Sequence, residues 1–335
     1  IMNMIKFINL DRHWNDVGES IFNLANASLQ FGQCVRGPII QDVEGRIAKQ
    51  SDRDHCVMFS NCSDALAQGL RNLQLPKGSE ILVPEYTFRA TINAIKLVGH
   101  IPVLCDVDDY YHIDLNDAKN KITSNTKALI YVTLLGNPAR TDIDVWCNSN
   151  DIMLIEDAAQ SFGTKTANSV FSVHSFSPTK PCTSFGSGGA LVTDSAKVAQ
   201  LARTGRVHGT DDCIGINSQI STFEASALLI NLSHLEQHAQ RRAAIAQHYI
   251  TELSDKYSFP VYRKDCTYSK FVLQCDQRNK LKQHLQSHGI DTAIHYATQH
   301  MPKSKKLSAV SLTLSNCAYM TDQEVEKVTQ CLKEF

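Results

Sequence analysis

Between about residues 56 and 193, short apolar runs alternate with stretches of helical spacing. The runs at 56–59, 81–83, 102–104, 128–133, 152–155, 170–176 and 190–193 lack clean polar alternation. That pattern suits strands buried on both faces. Between them, 64–73 sets Leu66, Leu70 and Leu73 on one face of a helix, and 90–98 does the same with Ile92, Ile95 and Val98. Strand–helix alternation of this kind predicts an α/β fold, a mostly parallel sheet flanked by helices on both faces. After residue 220 the pattern changes. Residues 222–248 read as one long core and domain-joining helix carrying Leu228, Leu229, Leu232 and Leu235. Beyond it, a strand-like run at 271–274 mixes with helical patterns at 277–288 and 322–333, as in a smaller α+β unit. We expect a large domain over 1–234 and a small C-terminal domain over 235–335.

Charge adds an exclusion. The formal net charge is −1, so nothing in it favours nucleic acid or an anionic membrane as partner. No stretch approaches the roughly 20 apolar residues of a membrane span. The opening Ile1-Met2-Asn3-Met4-Ile5-Lys6 lacks a signal peptide's long apolar core, and a cytoplasmic protein is expected. The 11 cysteines are odd in number, and no CxxC pair occurs among them. They read as reduced, mostly buried thiols, with a disulfide set or a metal site as the alternatives.

The chemistry gathers around Lys180. It ends His174-Ser175-Phe176-Ser177-Pro178-Thr179-Lys180 and is followed by Gly186-Ser187-Gly188-Gly189. Upstream, Glu156-Asp157-Ala158-Ala159-Gln160 closes the run at 152–155. A carboxylate at a buried strand end is costly unless paired, and a protonated pyridine nitrogen is a suitable partner for Asp157. An amine for a Schiff base, a carboxylate for a ring nitrogen and small polar groups for a phosphate are what pyridoxal phosphate chemistry needs. Burial and a nearby cation would lower the pKa of Lys180 and favour imine formation. Asn61-Cys62-Ser63-Asp64 follows a strand and opens a helix, with Ser63 read as the N-cap; it is either an ordinary cap or an anion site. Phe88, just past the run at 81–83, could stack on a flat ring or lie under a loop as core.

These motifs resemble the DegT/DnrJ/EryC1/StrS family of pyridoxal-phosphate-dependent sugar aminotransferases. Asn61-Cys62-Ser63-Asp64-Ala65-Leu66 is similar to that family's N-G-T-D-A-L. Val83-Pro84-Glu85-Tyr86-Thr87-Phe88-Arg89-Ala90-Thr91 is similar to V-P-x-Y-T-F-x-A-T. Gly136-Asn137-Pro138 matches G-x-P, and Glu156 to Gln160 match E-D-A-A-Q. Ser175 to Lys180 resemble S-F-x-P-T-K, and Gly186 to Gly189 resemble G-E-G-G. Gly215-Ile216-Asn217 matches G-x-N, and His295-Tyr296 the C-terminal H-Y. The matches run in order from about residue 36 to the end.

The resemblance implies the transferase fold type I, with pyridoxal 5'-phosphate as cofactor. It implies that Lys180 forms the Schiff base and that Asp157 pairs with the pyridine nitrogen. Gln160 would bond the phenolic oxygen, Phe88 would stack on the ring, and Cys62, Ser63 and Ser175 would hold the phosphate. Asn217, in a loop after the last strand of the cofactor domain, would reach the partner's phosphate in a homodimer with shared sites. Tyr86, His295 and Tyr296 would lie near the substrate. The implied reaction moves an amino group from L-glutamate to a keto sugar on a nucleotide carrier, such as a 4-keto- or 3-keto-6-deoxyhexose. A cyclitol (inosose) aminotransferase and a non-enzymatic cofactor-binding regulator are the alternatives. A dehydratase of the same family would carry His in place of Lys180. No metal is implied. Cys62, Ser187, Gln219 and the stretch Ala297-Thr298-Gln299-His300 depart from the family pattern, which leaves the sugar pocket open.

Overall fold

The computed structural model describes residues 4–298 and 300–335. Residues 1–3, part of the segment read for a leader, and Gln299 lie outside the described residues.

Seven strands form one sheet: β1 (His55–Phe59), β2 (Glu80–Pro84), β3 (Ile101–Cys105), β4 (Thr126–Val132), β5 (Met153–Asp157), β6 (Phe171–Ser175) and β7 (Gly189–Thr193). They lie where the apolar runs predict them, with ends displaced by one or two residues. Their order is β1-β7-β6-β5-β4-β2-β3. All neighbours pair parallel except β7, which runs antiparallel to both β1 and β6.

Burial on both faces explains the unbroken apolar runs. In β1, Val57 and Phe59 join one hydrophobic cluster while Cys56 and Met58 join another. In β4, Ala128 and Ile130 face one cluster and Leu129 and Tyr131 a different one. Successive side chains point to opposite faces, so a strand covered by helices on both sides cannot alternate with polar residues. The helices Cys62–Asn72 and Arg89–Leu97 supply Leu66, Leu70 and Ile95 to the first of these layers.

The apolar pattern predicts no element before residue 55, yet Leu10–Leu29 and Pro38–Gln50 are helices. The long helix expected over 222–248 is two helices, Thr222–Ser233 and Leu235–Leu253. The break has a local cause. Ser233 Oγ donates to the Ile230 carbonyl at 2.6 Å and His234 Nδ1 also approaches it at 3.1 Å, while the His234 amide bonds the Asn231 carbonyl instead. Side chains thus compete for the carbonyl that would carry the helix onward.

Two smaller sheets complete the chain. β8 (Val207–Thr210) and β9 (Cys213–Asn217) form an antiparallel hairpin, and β10 (Phe271–Gln274) pairs antiparallel with β11 (Ser311–Leu314). β10 and β11 pack with the helices Arg278–Ser287 and Asp322–Glu334 around Leu281, Leu285, Val328 and Leu332. Ile245 and Tyr249 of Leu235–Leu253 enter this same cluster. All 11 cysteines are unpaired. Among the described residues no helix is long and apolar enough to cross a membrane.

One glycine sets the approach of sheet to helix. A Cβ on Gly189, the first residue of β7, would lie 2.3 Å from the Cys62 amide nitrogen and 2.4 Å from the Asn61 carbonyl carbon. Both are backbone atoms, so neither can swing aside. Gly189→Ala is expected to cost about 1–3 kcal/mol by overpacking. Gly45→Ala, in open space on the helix Pro38–Gln50, is expected to stabilise by about 0.5–1 kcal/mol. Urea denaturation of the two variants checks this, and equal midpoints would refute the close-packing argument.

Candidate active site

A cavity of about 360 Å³ opens at the C-terminal ends of the parallel strands β2, β4 and β5 and at the end of β6. Ligands settle there in open α/β sheets because the strands stop and the following helices begin. Nine of the residues singled out in the sequence line it: Cys62, Ser63, Phe88, Asp157, Gln160, Ser175, Lys180, His295 and Tyr296.

Asp157 ends β5 and is 6% exposed. Thr91 Oγ1 donates to its Oδ2 at 2.7 Å, and the Ala159 amide donates to its Oδ1 at 3.2 Å. Burial raises the carboxyl pKa, while Thr91, Ala159 and the Lys180 charge pull it back down. The carboxylate is therefore oriented by two donors, and a cationic ring nitrogen would offset the burial. Gln160 is held in the same way. Its Oε1 accepts from the Leu135 amide at 2.9 Å, and its Nε2 donates to the Tyr296 hydroxyl. The Leu135 backbone has φ +61°, a left-handed conformation in a buried turn, which turns that amide toward Gln160.

Lys180 is partly buried. Burial lowers its pKa, with Cys62 and Asp157 opposing. The nearby cation expected from the chemistry is Lys270, which also lines the cavity. Lys270 is 6% exposed, and its Nζ donates to the Thr179 carbonyl at 3.0 Å. Burial first, then Lys180 and Arg242, bring its pKa down to about 7. His295 is held to about 4 by burial and by the same two lysines, so its ring is neutral.

The other end of the cavity suits an anion. The helix Cys62–Asn72 points its N-terminus into it, and the cap is Asn61, not Ser63: Asn61 Oδ1 accepts from the Asp64 amide at 2.8 Å. Ser63 is the second residue of the helix and is exposed, leaving its hydroxyl and the first helical amides to the cavity. Burial keeps Cys62 a neutral thiol. Ser175, Ser177, Ser187 and Gly188 complete the cradle, with the Gly188 amide donating to the Ser60 carbonyl at 2.6 Å.

Two singled-out residues stand elsewhere. Tyr86 is 2% exposed and packs edge-on against Tyr296 at 5.2 Å, behind the residue that lines the cavity. Asn217 does not line its own chain's cavity either. It is the exposed last residue of β9, in a hairpin instead of the expected loop. Thr91, Ser177 and Lys270 were not assigned roles from the sequence. A lysine directly before the apolar run at 271–273 was the available signal for Lys270. Among the described residues, His284, His288 and Cys331 lie close enough to share a metal, but none lines the cavity.

The donor set fits pyridoxal phosphate: a buried carboxylate for the ring nitrogen, the exposed ring of Phe88 as a stacking platform, an amine, and a helix N-terminus for the phosphate. Comparison with known proteins agrees. The sequence profile of the DegT/DnrJ/EryC1/StrS aminotransferase family matches residues 15–333. The chain is 31% identical over 311 residues to the erythromycin biosynthesis sensory transduction protein EryC1 of Saccharopolyspora erythraea, covering 88% of this chain and 85% of that one. It is 31% identical over 309 residues to the UDP-2-acetamido-2-deoxy-3-oxo-D-glucuronate aminotransferase of Pseudomonas aeruginosa, covering 88% and 86%. It superposes on the crystal structure of S. venezuelae DesV in complex with a ketimine intermediate with a TM-score of 0.94, at 26% identity, over 99% of this chain and 98% of that one. The chain belongs to the DegT/DnrJ/EryC1/StrS aminotransferase family, and is an aminotransferase of fold type I that uses pyridoxal phosphate.

Proposed function

We propose that this enzyme takes an amino group from L-glutamate and delivers it to a keto sugar carried on a nucleotide. The convergence of Lys180, Asp157 and Gln160 in one cavity carries this reading. The P. aeruginosa relative is named for a 3-oxo sugar, which favours a 3-keto over a 4-keto acceptor. A cavity of about 360 Å³ lined by Phe88 and Tyr296 suits one hexose ring beside the cofactor.

When bound, pyridoxal phosphate supplies an electron sink for the carbon whose bond to hydrogen is broken. The protein's own groups do the rest. Lys180 Nζ would hold the cofactor, and as a free amine it would be the base that removes and returns the proton. Its lowered pKa increases the share of free amine at neutral pH. Asp157 would keep the ring nitrogen protonated, and Thr91 holds Asp157 in place for that task. Gln160 and Tyr296 form one hydrogen-bonded unit on the edge of the cavity, and the second amide hydrogen of Gln160 remains to bond a ligand oxygen.

The active unit in this reading is a C2 homodimer. A two-fold axis would bring Asn217 of the partner subunit to each phosphate cradle, which its own chain does not supply.

Three outcomes follow. Lys180→Ala should keep its circular dichroism but lose the absorbance of lysine-bound cofactor, with amino transfer at background; turnover near the wild-type rate would move the chemistry elsewhere. Asp157→Asn should retain cofactor yet lose on the order of 10²-fold or more in kcat, and unchanged kcat would reduce Asp157 to a packing role. For the dimer, two inactive variants, Lys180→Ala and Asn217→Asp, are mixed under subunit exchange. Partial recovery of activity is expected, because a mixed dimer holds one site with both wild-type residues. A stable, active monomer in sedimentation would defeat the shared site.

A further inference from the structure

A second, smaller cavity of about 70 Å³ shares Thr179, Lys180 and Lys270 with the first. It lies where the N-terminal segment, the helix Leu235–Leu253, the start of β10 and the turn after β11 meet. Among the described residues no Asp or Glu lines it, yet its walls carry cations and donors. Arg242 is 7% exposed. Its Nε donates to the Thr267 carbonyl at 3.1 Å, while its Nη2 has no partner among the described residues. Among the described residues no carboxylate forms an ion pair with Arg242 or Lys270. Asn9 (3% exposed) and Ser269 (7% exposed) line the same space, and among the described residues Asn9 Nδ2 and Ser269 Oγ are also without partners.

A buried guanidinium without a counter-charge is strongly disfavoured, and a buried donor without an acceptor adds to the penalty. Here three segments distant in sequence converge such groups on one small cavity. The burial of Arg242 within a single chain leaves little surface for a macromolecular partner to reach. The volume holds about five waters, enough for a carboxylate or a halide and too small for a sugar or a nucleotide.

We propose that this cavity is a binding site for one small anion of carboxylate size, held by Arg242, Lys270, Asn9 and Ser269. Its place against Lys180 puts that negative charge beside the amine that carries the chemistry. Two sources share this chemistry: a resident inorganic anion such as chloride, or the distal carboxylate of the amino donor. The donor arm rests on the transamination reading above, whereas the anion site itself does not.

The test uses the cofactor-loaded enzyme. Its melting temperature is followed against sodium formate, chloride and glutarate at constant ionic strength, balanced by a bulky sulfonate salt. The wild type should show a saturable rise. Arg242→Gln should need about tenfold more anion or more for half-saturation, as expected for loss of a charged hydrogen bond, and Lys270→Met should weaken it similarly. Asn9→Ala provides a neutral variant should Arg242→Gln fail to fold, and it too should shift the midpoint. A rise that does not saturate, or that is identical in all variants, overturns the site. Glutarate or formate that raises the KM for glutamate in step with the thermal shift identifies the donor's carboxylate. A thermal shift with unchanged KM identifies a resident anion. Because melting is read without turnover, failure of the transamination reading would leave the anion result standing.

Discussion

A carboxylate buried at the end of a central strand is the constraint on which this site depends. Asp157 closes β5 at 6% exposure. In that position it must be oriented by donors and balanced by a cation, or it would take up a proton. Thr91 and the Ala159 amide supply the orientation. A protonated ring nitrogen of bound pyridoxal phosphate would supply that cation. Seen this way, the helix Arg89–Leu97 has a chemical task besides its packing. Thr91 sits on its first turn, and Thr87 bonds Thr91 in turn at 3.1 Å. The loop that presents Phe88 to the cavity is thereby tied to the residue that aims Asp157.

The end of the cavity suited to an anion follows from a different rule, close approach. β7 runs antiparallel beside β1, and its first residue meets the opening of the helix Cys62–Asn72 with no room for a side chain. Because Gly189 has no Cβ, the helix N-terminus can advance to the edge of the sheet, where its free amides line the cavity. The Cys62 and Ser187 departures from the family pattern are tolerated on this account. The cradle is made largely of backbone amides and small hydroxyls, and the thiol of Cys62 stays protonated by burial.

Positive charge in the interior is unusually dense for a chain that is nearly neutral overall. Lys180, Lys270 and Arg242 lie along two adjoining cavities, and burial together with mutual repulsion lowers the pKa of Lys270 to about 7. His295 stays neutral for the same reason. Elsewhere a buried acid is handled conventionally. Glu156, next to Asp157 on the opposite face of β5, accepts from the Ala167 amide and from Ser172, and its pKa rises to about 7. Neighbouring carboxylates on one strand thus take separate roles, because alternation sends one into the core and the other into the cavity.

The sequence by itself determined the sheet, because strands covered on both faces must be apolar throughout, and that signature is local. It also determined the order of the chemical groups along the chain: a helix-opening Asn61-Cys62-Ser63, a strand-ending Asp157, and Lys180 after a serine-rich turn. Only the tertiary structure decided which groups meet. Thr91 stands 66 residues from the carboxylate it orients, and Lys270 stands 91 from the carbonyl it bonds. Tyr86 and Tyr296 both read as substrate contacts, but packing set one behind the other. Asn61 took the cap expected of Ser63, and two side chains at Ile230 stopped a helix whose apolar periodicity continued. Periodicity records whether a residue faces the core. Contacts between distant segments depend on how whole layers pack, and no short window of sequence carries that information.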